Sequence, residues 1–346
     1  LRRRSLFAVL LALAALVVAA CGGADDTTGG GGGSASSGKG STKLSLVAYS
    51  TPQVVYDEVI PGFEKTAAGK GVSFAQSYGA SGDQSRAVEG GLAADVVTFS
   101  LEPDMTRLVK AGLVAPDWAD NAHKGLVSRS VVSLIVRKGN PKNIHTWDDL
   151  LKPGVSVLTP NPFTSGAAKW NILAAYGAKS GGGEDPKAGL AYLRELITKH
   201  VKVQDKSGRE ALQDFTSGNG DVLISYENEA ITAQKKGQQV DYVIPDRTIL
   251  IENPIAVVSK SKHLAQAKAF LSYALSPAAQ QQFADWGYRP VDETVFKRNA
   301  SRFPTPSGLF TINDLGGWTK VNDEFFDPAK GSVAAIEKDA GVSTAK

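Results

Sequence analysis

The chain has 346 residues, a formal net charge of +3, 42% hydrophobic residues and one cysteine. No long basic stretch interleaves with aromatics, so no nucleic-acid partner is expected, and a lone cysteine excludes an internal disulfide. The length suits two domains held by large apolar cores. The four histidines, His123, His145, His200 and His263, show no ligand spacing, so no structural metal is expected.

In chain order the first feature is Arg2–Arg4, followed by an apolar run from Leu6 to Ala20 that ends at Cys21. A charged start, a short apolar stretch and small residues before a cut site describe a secretory signal over 1–20. The run is shorter than the roughly 20 residues a spanning helix needs. The Val18-Ala19-Ala20-Cys21 junction resembles a bacterial lipobox. It implies lipidation at Cys21 and anchoring to the extracytoplasmic side of the cell membrane. Removing 1–20 takes three arginines from the 38 Lys+Arg, leaving 35 against 35 Asp+Glu, so the remainder is neutral. Residues 21–42 are dominated by Gly, Ser, Thr and Ala and read as a flexible tether, with a reach of about 25 Å.

From Lys43 short β-rich runs alternate with helical patterns. Strands are predicted at Leu44–Tyr49, Val72–Gln76, Asp95–Phe99, Val131–Arg137, Val155–Leu158, Val201–Gln204, Val222–Tyr226, Val240–Ile244 and Ile255–Val258. Helices are predicted at Val54–Thr66, Asp104–Ala111, Ala167–Ala178, Lys187–Thr198, Arg209–Ser217 and Ala265–Leu275. Nearly unbroken apolar strands in alternation with helices predict α/β layers around mostly parallel sheets.

Three places share one layout, a strand end, a Ser-Gly and a helix start: Ser81-Gly82, Ser165-Gly166 and Ser207-Gly208. Ser81 with Gln84, and Ser207 with Glu210, have capping-box spacing. One such turn is simply a good cap. Three together predict a convergent anion site, because a helix N-terminus offers unpaired N–H groups and about half a positive charge.

Residues 79–104 (GASGDQSRAVEGGLAADVVTFSLEPD), the NPFTSGAAKW block at 161–170 and SYENEA at 225–230 resemble bacterial sulfate- and thiosulfate-binding proteins of ABC importers. So do SLVAYSTPQVVYDEVIPGFEK near the start, and YRPVDETV and LFTINDLGGW near the end. The resemblance implies a type II periplasmic-binding-protein fold, two α/β lobes joined by two crossing strands with the ligand between them. Residues 43–128 plus 253–346 would form one lobe and 129–252 the other, with crossings near Gly125–Ser133 and Leu250–Ala256. It also implies a monomer that needs no cofactor and hands its anion to an ABC permease with a separate ATPase subunit.

In that family a dehydrated sulfate is held by neutral donors. Carried over by position, these are Ser81, Ser165, the backbones of Gly166 and Ala167, and the backbone of Gly208. Burying a bare dianion costs many kcal/mol, and about seven charge-assisted bonds at roughly 1.5–3 kcal/mol each offset a cost of that size. Two departures bear on the ligand. Ser50-Thr51 stands where the family has an Asp after its Tyr, and Tyr226 stands where it has a donor tryptophan. Arg209 either bonds the anion bidentately or braces its helix through Asp205. Asp83 and Arg86 read as solvated, and Lys169 and Trp170 as cleft wall and core.

The competing readings are a receptor for phosphate or molybdate, with Ser50, Thr51, Asp205 or Tyr226 accepting a phosphate proton, and a metal-chelate receptor using Tyr226, Glu227 and Glu229. An enzyme is not expected. The sequence has no G-x-S-x-G, H-E-x-x-H or Walker A motif, and no histidine beside the Ser-Gly turns to serve as a base.

Overall fold

Alternation carries through residues 42–345, which a computed structural model describes. The signal, Cys21 and the tether up to residue 41 lie outside the described residues, and residue 42, expected as the tether's last, opens the first strand. The first stretch runs β1 (Thr42–Tyr49), α1 (Gln53–Glu64), β2 (Val72–Gly79), α2 (Ser81–Glu89), β3 (Val96–Thr98) and α3 (Glu102–Lys110). It continues through β4 (Leu126–Arg137), β5 (Val157–Leu158), α4 (Gly166–Lys179), α5 (Pro186–Glu195), β6 (Val201–Val203), α6 (Gly208–Thr216), β7 (Val222–Tyr226), α7 (Glu227–Lys235) and β8 (Val240–Val243). The remainder is β9 (Arg247–Val257), α8 (Leu264–Ala274), α9 (Pro277–Asp285), β10 (Arg289–Pro290), α10 (Glu293–Arg298), β11 (Gly308–Phe310), α11 (Gly317–Phe325) and α12 (Ser332–Asp339).

Strand order is β2-β1-β3-β9-β4-β7-β5-β6, with β8 and β10 on β4 and β11 on β9. Two parallel sets, β2-β1-β3 and β7-β5-β6, are joined by β9 and β4. β4 and β9 pair antiparallel with each other from Leu126↔Pro254 to Val131↔Leu250, and each then continues antiparallel into one set. The sheet is therefore mixed rather than mostly parallel. β9 runs antiparallel to β3, β4 runs antiparallel to β7, and the two run antiparallel to each other, so the parallel sets are joined through antiparallel pairs.

Packing follows the apolar patterns. Val55, Tyr56, Val59, Ile60 and Phe63 of α1 bury against β1, α8 and α9, with Tyr56 edge-on to Phe283 at 5.8 Å. On the other set, α4 presents Trp170, Leu173 and Tyr176 to a core shared with α5 and the C-terminal helices. Trp170 meets Trp318 edge-on at 4.7 Å, and Tyr176 meets Phe325 at the same separation. Asn161 donates to the Ser343 carbonyl at 3.0 Å. Within the stretch 253–346, the part from Gly308 onward packs aromatics on α4, where Trp318 and Phe325 find their cover.

Candidate functional site

In α/β sheets the carboxyl ends of parallel strands open onto helix N-termini, and ligands gather at that edge. Here both sets turn that edge inward. The turn after β1 (Ser50, Thr51) and the start of α2 come from one set, and the starts of α4, α6 and α7 come from the other.

Close approaches between glycines and their neighbours show the convergence. A methyl group built on Gly208 would lie 3.4 Å from Thr51 Cγ2 and 3.5 Å from Ala167 Cβ. One on Gly166 would lie 2.8 Å from Ser100 Oγ, and one on Gly82 3.2 Å from the Thr164 carbonyl oxygen. Absence of a side chain at these positions lets the two edges meet. Ser50, Thr51, Ser81, Ser165, Ala167, Ser207 and Tyr226 are all buried.

The three serines are not equivalent. Ser207 caps α6, accepting from the Glu210 N–H at 3.2 Å, as its spacing predicts. Ser165 precedes α4 but makes no side-chain capping bond, which leaves its hydroxyl for other work. Ser81 departs from the expected capping box, since Ala80 is the cap and Ser81 is already the first helical residue. Its hydroxyl donates to Asp104 Oδ2 at 2.6 Å and accepts from the Ser100 N–H at 3.0 Å. With its one proton committed to Asp104, Ser81 offers this region its backbone N–H rather than its hydroxyl. Burial pushes the Asp104 carboxyl up, and the Ser81 bond pulls it partly back.

Arg209 does not brace its helix through Asp205. It reaches across to the other edge, where Nη2 donates to the Ser50 carbonyl oxygen at 2.7 Å and Nη1 to Gln53 Oε1. Asp205 is not its partner; Asp205 Oδ2 is buried without one. Burial, with Asp214 and Glu210 adding their charge, raises the Asp205 carboxyl. Asp83 and Arg86 form an ion pair at 2.5 Å, with Lys206 on the other oxygen at 3.1 Å. Lys169 donates to Asn322 at 2.7 Å, and Trp170 Nε1 donates to the Ser100 carbonyl at 2.8 Å.

Tyr226 ends β7 with its hydroxyl 2.8 Å from Ser100 Oγ. Burial holds its phenol far above the ordinary range, so it is a neutral group with a proton to give. Glu227 is taken by Arg289 at 2.7 Å, which removes it from a chelate with Tyr226. Among the described residues no three His, Cys, Asp or Glu side chains gather as a metal site.

Space lies on both sides of the convergence. A cavity of about 40 Å³ is bordered by Gly82, Leu101, Asp104, Ser165 and Gly166, and one of about 190 Å³ by Thr51, Val54, Arg209, Glu229 and Lys236. Sequence reasoning missed Ser100, Asp104 and Gln53. Ser100 follows β3 as Ser50 follows β1, and that parallel was the available signal.

Comparison with known proteins shows the family. The family model described as "Bacterial extracellular solute-binding protein" matches residues 44–289. The chain is 44% identical over 303 residues to the sulfate-binding protein of Synechococcus elongatus, covering 84% of this chain and 86% of that one. It is 36% identical over 302 residues to the thiosulfate-binding protein of Escherichia coli, covering 83% and 88%. The solved sulfate-binding protein SubI from Mycobacterium tuberculosis H37Rv superposes with a TM-score of 0.81 at 51% identity, over 83% of this chain and all of that one.

Proposed function

The chain belongs to the bacterial extracellular solute-binding proteins, and from that footing we propose that it captures sulfate or thiosulfate and delivers it to an ABC permease. The observation that carries this reading is the meeting of the α4 and α6 starts with the segments after β1 and β3, through Ala167, Gly208 and Thr51 and through Gly166 and Ser100. Helix N-termini hold an anion by backbone N–H groups and aligned dipoles. The Ser165 hydroxyl and the Tyr226 phenol add side-chain donors. Arg209 bonds Ser50 and Gln53, so its guanidinium holds the two edges together instead of neutralising the ligand.

Such a site favours an oxyanion without a proton. Sulfate is satisfied by donors alone. Hydrogen phosphate needs an acceptor for its O–H, and a missing one costs about 1–3 kcal/mol. The relatives named above are binding proteins, which supports reading the chain as a receptor. The cycle is closure of the two edges over the anion and reopening at the permease, with β4 and β9 as the connection. Lipid at Cys21 and the glycine-rich tether would keep a monomeric receptor near its permease; Arg2–Cys21 supports that part.

Calorimetric titration at pH 7 with sulfate, thiosulfate, phosphate and molybdate tests the reading. Sulfate or thiosulfate should bind most tightly. Phosphate binding as tight as sulfate would sink it.

A further inference from the structure

Ser100, the second residue past β3, uses every polar group it has. Its N–H donates to Ser81 Oγ at 3.0 Å. Its carbonyl oxygen accepts from Trp170 Nε1 at 2.8 Å and from Asn253 Nδ2 at 3.0 Å. Its hydroxyl lies 2.8 Å from the Tyr226 hydroxyl, and the residue is 1% exposed. Through these bonds one serine touches α2, α4, β7 and β9. It also stands against Gly166, the first residue of α4.

The hydroxyl pair has a simple proton count. Two hydroxyls carry two protons, and their mutual bond consumes one. The second proton is left on whichever group accepts. If Ser100 donates, Tyr226 keeps an O–H that is free to point elsewhere; if Tyr226 donates, the spare proton stays on Ser100. A dianion at the helix starts favours the arrangement that directs a proton to it, and in a water-poor site the preference is strengthened by low dielectric. The hydroxyl pair lies by the start of α4, since Ser100 Oγ stands against Gly166.

Resting on the receptor reading above, we propose that Ser100 is a positioning residue for the oxyanion: its hydroxyl donates to Tyr226 and so turns the Tyr226 proton toward the ligand. Ser100 acts through Tyr226 and not on the anion directly. Its carbonyl and N–H contacts are backbone groups, which an alanine retains. The hydroxyl's contribution can therefore be removed without undoing the docking of α4.

The test is sulfate and thiosulfate titration of the wild type, Ser100→Ala, Tyr226→Phe and the double variant. Ser100→Ala should weaken sulfate binding about three- to tenfold and Tyr226→Phe about tenfold or more. The double variant should bind no more weakly than Tyr226→Phe alone, because the serine has nothing left to orient. Losses that add, or an unchanged affinity in Ser100→Ala, would overturn the proposal. Wild type that binds neither anion would overturn the receptor reading itself, a separate outcome. Should Ser100→Ala fail to fold, wild-type protein labelled at tyrosine ¹³Cζ carries the test. The Tyr226 resonance should move on adding sulfate, as its phenol becomes a donor to an anion, and a resonance that stays put overturns the proposal.

Discussion

Arg209 Nη2 donates to the Ser50 carbonyl oxygen at 2.7 Å, tying the first turn of α6 to the turn after β1. The two residues lie 159 positions apart and come from opposite strand sets. A cation placed on a backbone oxygen stabilises the closed arrangement without cancelling the charge of a ligand. Replacing Arg209 by Met should weaken sulfate binding about ten- to a hundredfold, the worth of a charged hydrogen bond present only when the edges meet. Calorimetric titration reads the effect. A loss beyond about a thousandfold would mean that the guanidinium pairs with the anion itself.

Glu229 gives the protein a pH dependence. Burial pushes its carboxyl up from 4.5 to about 7, and the charges of Arg209 and Lys236 offset that only in part. Its Oε2 is buried with no hydrogen-bond partner. Below about pH 4.5 the group is protonated in both folded and unfolded chains, so it exacts no penalty. Between 4.5 and 7 the unfolded chain ionises first and binds fewer protons, so stability falls as pH rises. The full loss, about 3 kcal/mol for a shift of this size, is reached above pH 7. Glu337, also raised to about 7 by burial, acts in the same direction. Urea unfolding at pH 5 and pH 8 should therefore show a drop in stability that Glu229→Gln reduces and does not abolish. An identical drop in wild type and variant would refute the assignment to Glu229.

Local signals were the legible ones. Val222–Tyr226 is found at its predicted bounds because Asp221 and the helix-starting Glu227 punctuate an apolar run. Ser207 caps its helix because its bond spans three residues. Ser81 has the same spacing to Gln84, yet a partner 23 positions away takes its hydroxyl. Only the stretch from Ile255 of β9 reads as a strand, since Glu252 and Asn253 interrupt its apolar pattern. Across the ladder they stand opposite Arg129 and Ser128, and Asn253 bonds the Ser128 hydroxyl and the Ser100 carbonyl. Arg209 could be recognised as important, but its partners Ser50 and Gln53 could not be. Such contacts depend on how the two strand sets close, which no window of sequence encodes.

Gly166 is the position where that closure is most exposed to substitution. Its backbone suits any residue, and alanine is the better helix former by about 1 kcal/mol, so Gly166→Ala leaves α4 intact as a helix. The added methyl, however, would lie 2.8 Å from Ser100 Oγ and 2.9 Å from Leu101 Cδ2, distances at which something must move. Ser100 is held by four hydrogen bonds and Leu101 is buried, so neither gives way readily. The relief available is for α4 to stand off from the segment after β3, which is opening of the site. Gly166→Ala should then lower sulfate affinity at least tenfold, while ligand-free stability changes by no more than about 1 kcal/mol. Titration beside urea unfolding separates the two. A variant that binds sulfate as wild type does would show that the contact between Gly166 and Ser100 is not kept in the liganded protein.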